Sequence, residues 1–223
     1  QYYRLEYVPS QYEAYPPFWY FYGHTANFIA QTARNEMNMN PRLTHGDMSE
    51  YSKAADVEEE YTKKAKTHFE HYYSLCKNNI LREDSLTASF ALEYVDLLWS
   101  EEQRDVEKVK ELLIMAETMG VNSFDVLQLC AVSYLKIGAS EDAARLLKIL
   151  VNEDYNANSN AKLLSKLYVN KYIESKDKKW SSEYEILEKQ IDPLYLFPMP
   201  YNLADDTDKN LLESKFWLLQ KEI

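Results

Sequence analysis

Residues 123–152 read SFDVLQLCAVSYLKIGASEDAARLLKILVN, and this stretch decides the fold. Its apolar residues recur every three or four positions, which is the spacing of helices that each bury one face. Gly120 precedes the first helix and Gly138 separates the two. Each glycine occupies the C-terminal cap position of the helix before it. Because the connection at Gly138 is very short, the two helices must pack antiparallel. The stretch therefore predicts a helical hairpin.

The same spacing continues on both sides of this hairpin, and residues that break helices are rare. The chain has four glycines and seven prolines in 223 residues, and no proline lies between residues 42 and 192. An all-β chain needs many more tight turns, so we predict an all-α fold. The predicted helices are approximately Phe18–Met37, Asp47–Asn79, Asp84–Trp99, Asp105–Met119, Ser123–Ile137, Ser140–Asn152, Ala157–Ser175, Ser181–Ile191 and Asp206–Lys221.

The N-terminal part of the chain is rich in aromatic residues. Five tyrosines precede Pro17 without a clear period, which predicts an extended arm that lies on the helices. The run Phe18–Tyr22 then opens the first predicted helix with five consecutive aromatic residues. A helix that is aromatic on all sides must be buried, either in the core of its own chain or against a partner. We predict burial inside this chain.

The central hairpin resembles the tetratricopeptide repeat in residue type and spacing. The matching residues are Leu127, Cys130, Ala131 and Tyr134, then Gly138 at the turn, then Ala143, Leu147 and Leu150. The pattern recurs more weakly around Tyr94 and Tyr168, and Tyr168 follows Tyr134 by 34 residues, the period of that family. Residues 84–193 are therefore identified as a tetratricopeptide-like array. An ordinary helical bundle and another helical-repeat family are the alternative interpretations.

This resemblance implies the architecture of the whole chain. It implies an all-α, right-handed superhelix of stacked antiparallel helical hairpins, with an N-terminal aromatic arm and a C-terminal capping helix. We expect the segments to form one cooperative domain. The predicted segments are 1–46 for the arm and first helix, 47–83 for a long helix packed on the array, 84–193 for the repeats, and 194–223 for a loop and the capping helix.

The resemblance also implies a function. Arrays of this family hold a peptide or helix of another protein in a concave groove, so we expect a non-catalytic protein-binding module or scaffold. When the chain is aligned with the repeat, the residues that directly follow those packed against the partner helix face this groove. The predicted groove residues are Gln128, Val132, Leu135, Lys136, Lys162, Lys166 and Asn170. Their amine and amide donors favour an acidic-apolar peptide as the ligand. The chain departs from the carboxylate-clamp version of the family, which has an asparagine near Val132.

Two other function classes stay open at this point. The sequence starts at Gln1 rather than at Met, which favours an accessory or regulatory helical domain of a larger enzyme or multi-domain protein as the alternative. The third class is an enzyme in its own right. It has no support from a phosphate-binding glycine loop, a His-Glu-x-x-His motif or a nucleophile motif near His24 or His45. We therefore predict no catalytic residue and no cofactor.

Three residues of the second predicted helix have side chains of the kind that bind zinc. His68 and His71 share one face of that helix, and Cys76 lies near the same side. His68 and Cys76 are two helical turns apart, about 12 Å along the axis. That distance is too long for one ion, and the sequence has no second cluster of histidine and cysteine. We therefore predict no metal site.

Composition narrows the class of partner. The chain has 25 Lys+Arg and 36 Asp+Glu, which gives a formal net charge of −11. A nucleic-acid binder needs a broad basic surface, so we expect proteins as partners.

Cys76 and Cys130 lie within apolar helical patterns, which predicts two buried thiols in a reducing compartment. No run of 18 apolar residues predicts a membrane span. The predicted location is the cytoplasm.

Overall fold

The computed structural model describes residues 15–39, 48–77, 84–100 and 104–199, and within these ranges the chain is helical with no strand. The helices are α1 Pro17–Met39, α2 Met48–Lys77, α3 Asp84–Trp99, α4 Val106–Met119, α5 Phe124–Lys136, α6 Ser140–Asn152, α7 Ala157–Ser175 and α8 Lys178–Glu188, followed by a 3₁₀ turn at Pro193–Tyr195. The predicted all-α class is confirmed. The predicted arm before Tyr15 and the predicted helix Asp206–Lys221 lie outside the described residues.

The chain divides into two compact units, Gln1–Ala143 and Ala144–Ile223, and the boundary falls inside α6. In the first unit α1 packs along α2, and α3, α4 and α5 all contact one another. In an array of hairpins, each helix packs on the helix that follows it in the sequence and on the one after that. In the second unit α7 packs on α8 and on the 3₁₀ turn. The predicted right-handed superhelix and the four predicted segments stay predictions.

The turn at Gly138 forms as the sequence predicts. Gly138 has a φ of +77°, a left-handed conformation that glycine adopts without steric cost. The Ala139 amide donates to the Tyr134 carbonyl at 2.9 Å, and the Gly138 amide donates to the Leu135 carbonyl at 3.1 Å. These two hydrogen bonds satisfy carbonyls at the end of α5 and stop the helix.

Helix α8 begins three residues earlier than predicted. The prediction placed Lys178 and Lys179 in a linker and began the helix at Ser181, whereas both lysines belong to α8. The Asp177 carboxylate accepts a hydrogen bond from the Lys179 amide at 2.9 Å and caps the helix. An aspartate at this position stabilises a helix start by about 1 kcal/mol, and lysine has a good helix propensity. The helix therefore starts at Lys178, directly after its capping residue Asp177.

Aromatic side chains from three helices form the core of the first unit. Phe69, Tyr72 and Phe90 are completely buried, and Tyr20 is 6% exposed. The Phe90 ring lies 5.6 Å from the Phe69 ring, 4.7 Å from the Tyr72 ring and 6.4 Å from the Tyr20 ring. Because Tyr20 is on α1, Phe69 and Tyr72 on α2 and Phe90 on α3, this cluster joins the three helices.

Helix α1 meets α2 through small residues. Gly23, Ala26, Ala30 and Ala33 are buried on one side of α1, and side chains of this size let two helix axes approach closely. A β-carbon built on Gly23 would overlap the Phe69 ring of α2. The predicted burial of the aromatic run holds for Tyr20 and Tyr22, whereas Phe21 is about half exposed. Part of the aromatic surface of α1 therefore stays on the outside.

Candidate functional site

Four of the predicted groove residues share one side of α5 in the first unit. Gln128, Val132 and Leu135 are half-buried and Lys136 is exposed, which agrees with a side next to the packed face of the helix. The Lys136 amine lies 3.7 Å from a carboxylate oxygen of Asp96 on α3. The charge of Lys136 is therefore partly neutralised by a residue of α3.

The other three predicted groove residues lie on α7 in the second unit. Lys162, Lys166 and Asn170 are spaced by four residues and so follow one side of the helix. Lys162 is exposed, and Lys166 and Asn170 are half-buried. Among the residues that the structure describes, no carboxylate lies within 4.0 Å of the amine of Lys162 or Lys166. The structure thus brings three residues together on α7 and four on α5, and the two sets belong to separate units.

A pocket of about 330 Å³ opens between α6, α7 and α8 of the second unit. Buried Leu164 and Leu187 give it an apolar floor, and Lys148 forms an ion pair with Glu183 at its edge. The full lining is Lys148, Val151, Asn152, Leu164, Tyr168, Glu183, Ile186, Leu187 and Gln190. None of the seven predicted groove residues lines this pocket. Leu164 and Tyr168 lie on the opposite side of α7 from the lysines, since residues two apart in a helix face away from each other.

A polar cluster on α1 and α3 was missed by the sequence reasoning. The Tyr20 hydroxyl donates to Glu93 Oε1 at 3.2 Å, and His24 Nδ1 lies 2.7 Å from the same oxygen. Burial, followed by the charge of Glu93, raises the pKa of Tyr20 far above its ordinary value. Tyr20 therefore stays protonated and donates a stable hydrogen bond. Glu93 lies far from Tyr20 and His24 in the sequence, so no sequence pattern indicates this cluster.

A second polar cluster joins α2, α3 and α4. Glu70 of α2 accepts hydrogen bonds from the Tyr94 hydroxyl and from the Lys108 amine. The same amine lies over the rings of Tyr73 and Tyr94, at 5.0 and 5.1 Å from their centroids. Partial burial acts to raise the pKa of Glu70, but the hydrogen bonds from Lys108 and Tyr94 and the charge of Lys108 outweigh it and hold that pKa below its ordinary value. Glu70 is therefore an ionised link between helices.

We expect this link to make stability depend on pH. A carboxyl whose pKa is lower in the folded state stabilises the protein above its unfolded pKa, which is 4.5 for Glu70, and the stabilisation is lost as the pH falls through the folded pKa. Urea unfolding of the parent and of Glu70→Gln, from about pH 7 to about pH 3, measures the difference. The substitution should destabilise the chain at neutral pH and make little difference in acid.

The matched control is Glu107→Gln, whose carboxylate is exposed on α4 and faces Lys110 at 3.4 Å. An exposed pair of this kind contributes little, so the control should leave the pH dependence of unfolding unchanged. An acid transition that is identical in the parent and in Glu70→Gln would show that Glu70 does not link the helices.

The two histidines of α2 stack against an aromatic residue of α1. The Trp19 ring lies 4.3 Å from the His71 ring and 5.7 Å from the His68 ring. Burial, followed by the charges of His71 and Lys64, lowers the pKa of His68. Across residues 15–39, 48–77, 84–100 and 104–199, no three side chains of the metal-ligating types come together.

None of the described helices is long and apolar enough to cross a bilayer. Comparison with protein-family models, with curated proteins and with solved structures finds no significant match to this chain. The resemblance to the tetratricopeptide repeat therefore stays a prediction.

Proposed function

We propose that the chain is a non-catalytic, tetratricopeptide-like module that binds an acidic-apolar peptide of another protein. The packing of α3, α4 and α5 as consecutive hairpin helices supports this proposal. Ala131 and Ala143, which the repeat register places at the closest approach of two helices, are both completely buried.

The observation that carries the proposal is the pair of lysines on α7. Lys162 and Lys166 lie one turn apart, and no described carboxylate lies within ion-pair distance of either amine. By contrast, Lys63, Lys108, Lys148 and Lys171 each have a glutamate partner. In a chain with a net charge of −11, two adjacent amines without such a partner form a local positive site. Acidic side chains of a ligand would be attracted to it, and Asn170 adds an amide beside it.

The predicted compartment forms part of this proposal. Cys76 and Cys130 are both thiols and are not joined in a disulfide. Burial raises the pKa of the Cys76 thiol, which keeps it in the protonated, less reactive form. Two cysteines that are not joined in a disulfide suit a reducing compartment, so we place the module in the cytoplasm as a protein-binding scaffold.

We expect the double substitution Lys162→Glu/Lys166→Glu to weaken peptide binding by more than about tenfold, because it replaces attraction by repulsion. The probes are fluorescent synthetic peptides in which Asp or Glu alternates with Leu or Phe. Peptides with Asn and Gln in place of the acids serve as their controls. Fluorescence anisotropy at low and high salt measures the affinity. The salt dependence of binding should be smaller for the double variant than for the parent.

The matched protein control is the same double reversal at Lys63 and Lys64. These lysines form ion pairs with Glu59 and Glu60, one turn earlier on α2. The control changes the net charge by the same amount, so it separates a local effect from a general one. Equal losses in both double variants, or equal binding of the acidic and amide peptides, would contradict the proposal.

A further inference from the structure

Helix α1 has a second face, opposite the small residues that contact α2. Six residues follow this face with alternating spacings of four and three, and we call them the outer stripe. They are Phe21, Thr25, Phe28, Thr32, Asn35 and Met39. Alternation of three and four is the spacing of a coiled-coil seam, in which the side chains of one helix insert between those of another. The outer stripe extends over the length of α1 from Phe21 to its last residue.

The outer stripe carries three large apolar side chains that are accessible. Phe21 is 48% exposed, Phe28 is 65% exposed and Met39 is 81% exposed. The hydroxyls of Thr25 and Thr32 donate to the backbone carbonyls of Phe21 and Phe28, each at 2.8 Å. These hydroxyls are therefore satisfied within the helix, and burying the two threonines against another helix leaves no donor without a partner.

The outer stripe is also neutral in an acidic chain. None of its six residues carries a charge, and the charged residues Arg34 and Glu36 of α1 cancel. Arg34 is paired with Glu58 of α2, on the packed side of the helix. Two copies of a chain with a net charge of −11 repel each other over most of their surface. A neutral face is where a second copy can approach with the least repulsion.

We propose that the part of the outer stripe from Phe21 to Thr32 binds the same part of a second copy of this chain, antiparallel and centred between Thr25 and Phe28. This alignment sets Phe21 opposite Thr32 of the second copy and Phe28 opposite Thr25. Each large ring then meets a small side chain, and the two-fold axis repeats both pairs. A parallel alignment would instead place phenylalanine on phenylalanine and threonine on threonine. A contact along one helix buries a small area, so the dimer is weak and forms at high protein concentration.

The first test is sedimentation equilibrium of the full chain over a range of concentrations. The parent should shift from the chain mass of 26.3 kDa toward twice that mass. Phe28→Asp should raise the dissociation constant more than about tenfold, because it buries a charge in the seam. The matched control is Ile114→Asp, at a residue of α4 that is 59% exposed and lies outside the outer stripe. It should dimerise like the parent, and circular dichroism verifies that both variants fold.

The second test fixes the alignment of the two helices. A mixture of Thr25→Cys and Phe28→Cys chains should form an interchain disulfide faster than Thr25→Cys alone, with the parent as the control for Cys76 and Cys130. Three results would overturn the proposal: a parent that keeps the single-chain mass at every concentration, a Phe28→Asp variant that associates like the parent, or faster cross-linking of Thr25→Cys with itself. The first would mean that another part of the chain or a different protein covers the outer stripe.

Discussion

Phe90→Ala is expected to lower the free energy of unfolding by about 3–5 kcal/mol, the cost of removing a buried aromatic ring. Phe90 is completely buried, and its ring contacts aromatic residues of both α1 and α2. Its removal therefore leaves a cavity that three helices border, and the fixed helices cannot collapse into it. Urea unfolding, monitored by circular dichroism, measures the loss. A domain at the lower end of ordinary stability, about 5 kcal/mol, would keep only a small margin.

The control for this variant is Ile114→Ala on α4, where the side chain is already mostly exposed. Surface substitutions of this kind change stability by about 0.5 kcal/mol or less. If Phe90→Ala were no more destabilising than Ile114→Ala, the aromatic cluster would not hold the first unit together.

Gly23→Ala is expected to destabilise the chain, although alanine is the better helix former by about 1 kcal/mol. The new methyl group would overlap the Phe69 ring, which is completely buried and packs against the Phe90 and Tyr94 rings. Overpacking of this kind costs about 1–3 kcal/mol, so it exceeds the gain in helix propensity. Thermal unfolding by circular dichroism should show a lower midpoint for the variant than for the parent.

Gln31→Ala, at an exposed position of the same helix, is the matched control. It should be neutral or slightly stabilising, because only the propensity of the new residue acts there. A Gly23→Ala variant that melts at or above the parent would mean that α1 and α2 are farther apart than the structure places them.

Local patterns account for the parts of the fold that the sequence predicted well. The bounds of α3, α6 and α7 agree with the prediction, because each helix has an apolar period and breaks at a short polar or glycine-containing connection. The start of α8 was wrong because one hydrogen bond at Asp177 decides it. A run of lysines beside a cap has no apolar period, so periodicity cannot show whether these residues belong to the helix or to the linker.

The candidate site was less accessible to sequence reasoning. The positions of Lys162, Lys166 and Asn170 on one side of α7 follow from their spacing alone. The absence of a described carboxylate near the two lysines depends on tertiary structure, and so does the pocket beside Leu164. The clusters around Glu93 and Glu70 join residues from different helices, and neither spacing nor periodicity within one helix indicates such pairs.

The hydrogen bond from Tyr20 to Glu93 has a consequence for the kinetics of folding. Most helix contacts of the first unit join neighbours in the sequence, such as α1 with α2 and α3 with α4. Contacts of this kind close short loops and form in microseconds to milliseconds. Tyr20 and Glu93 are 73 residues apart, so their contact requires closure of a much longer loop and a larger loss of chain entropy. We therefore expect the α1–α2 and α3–α4 pairs to form first and α1 to dock onto α3 after them.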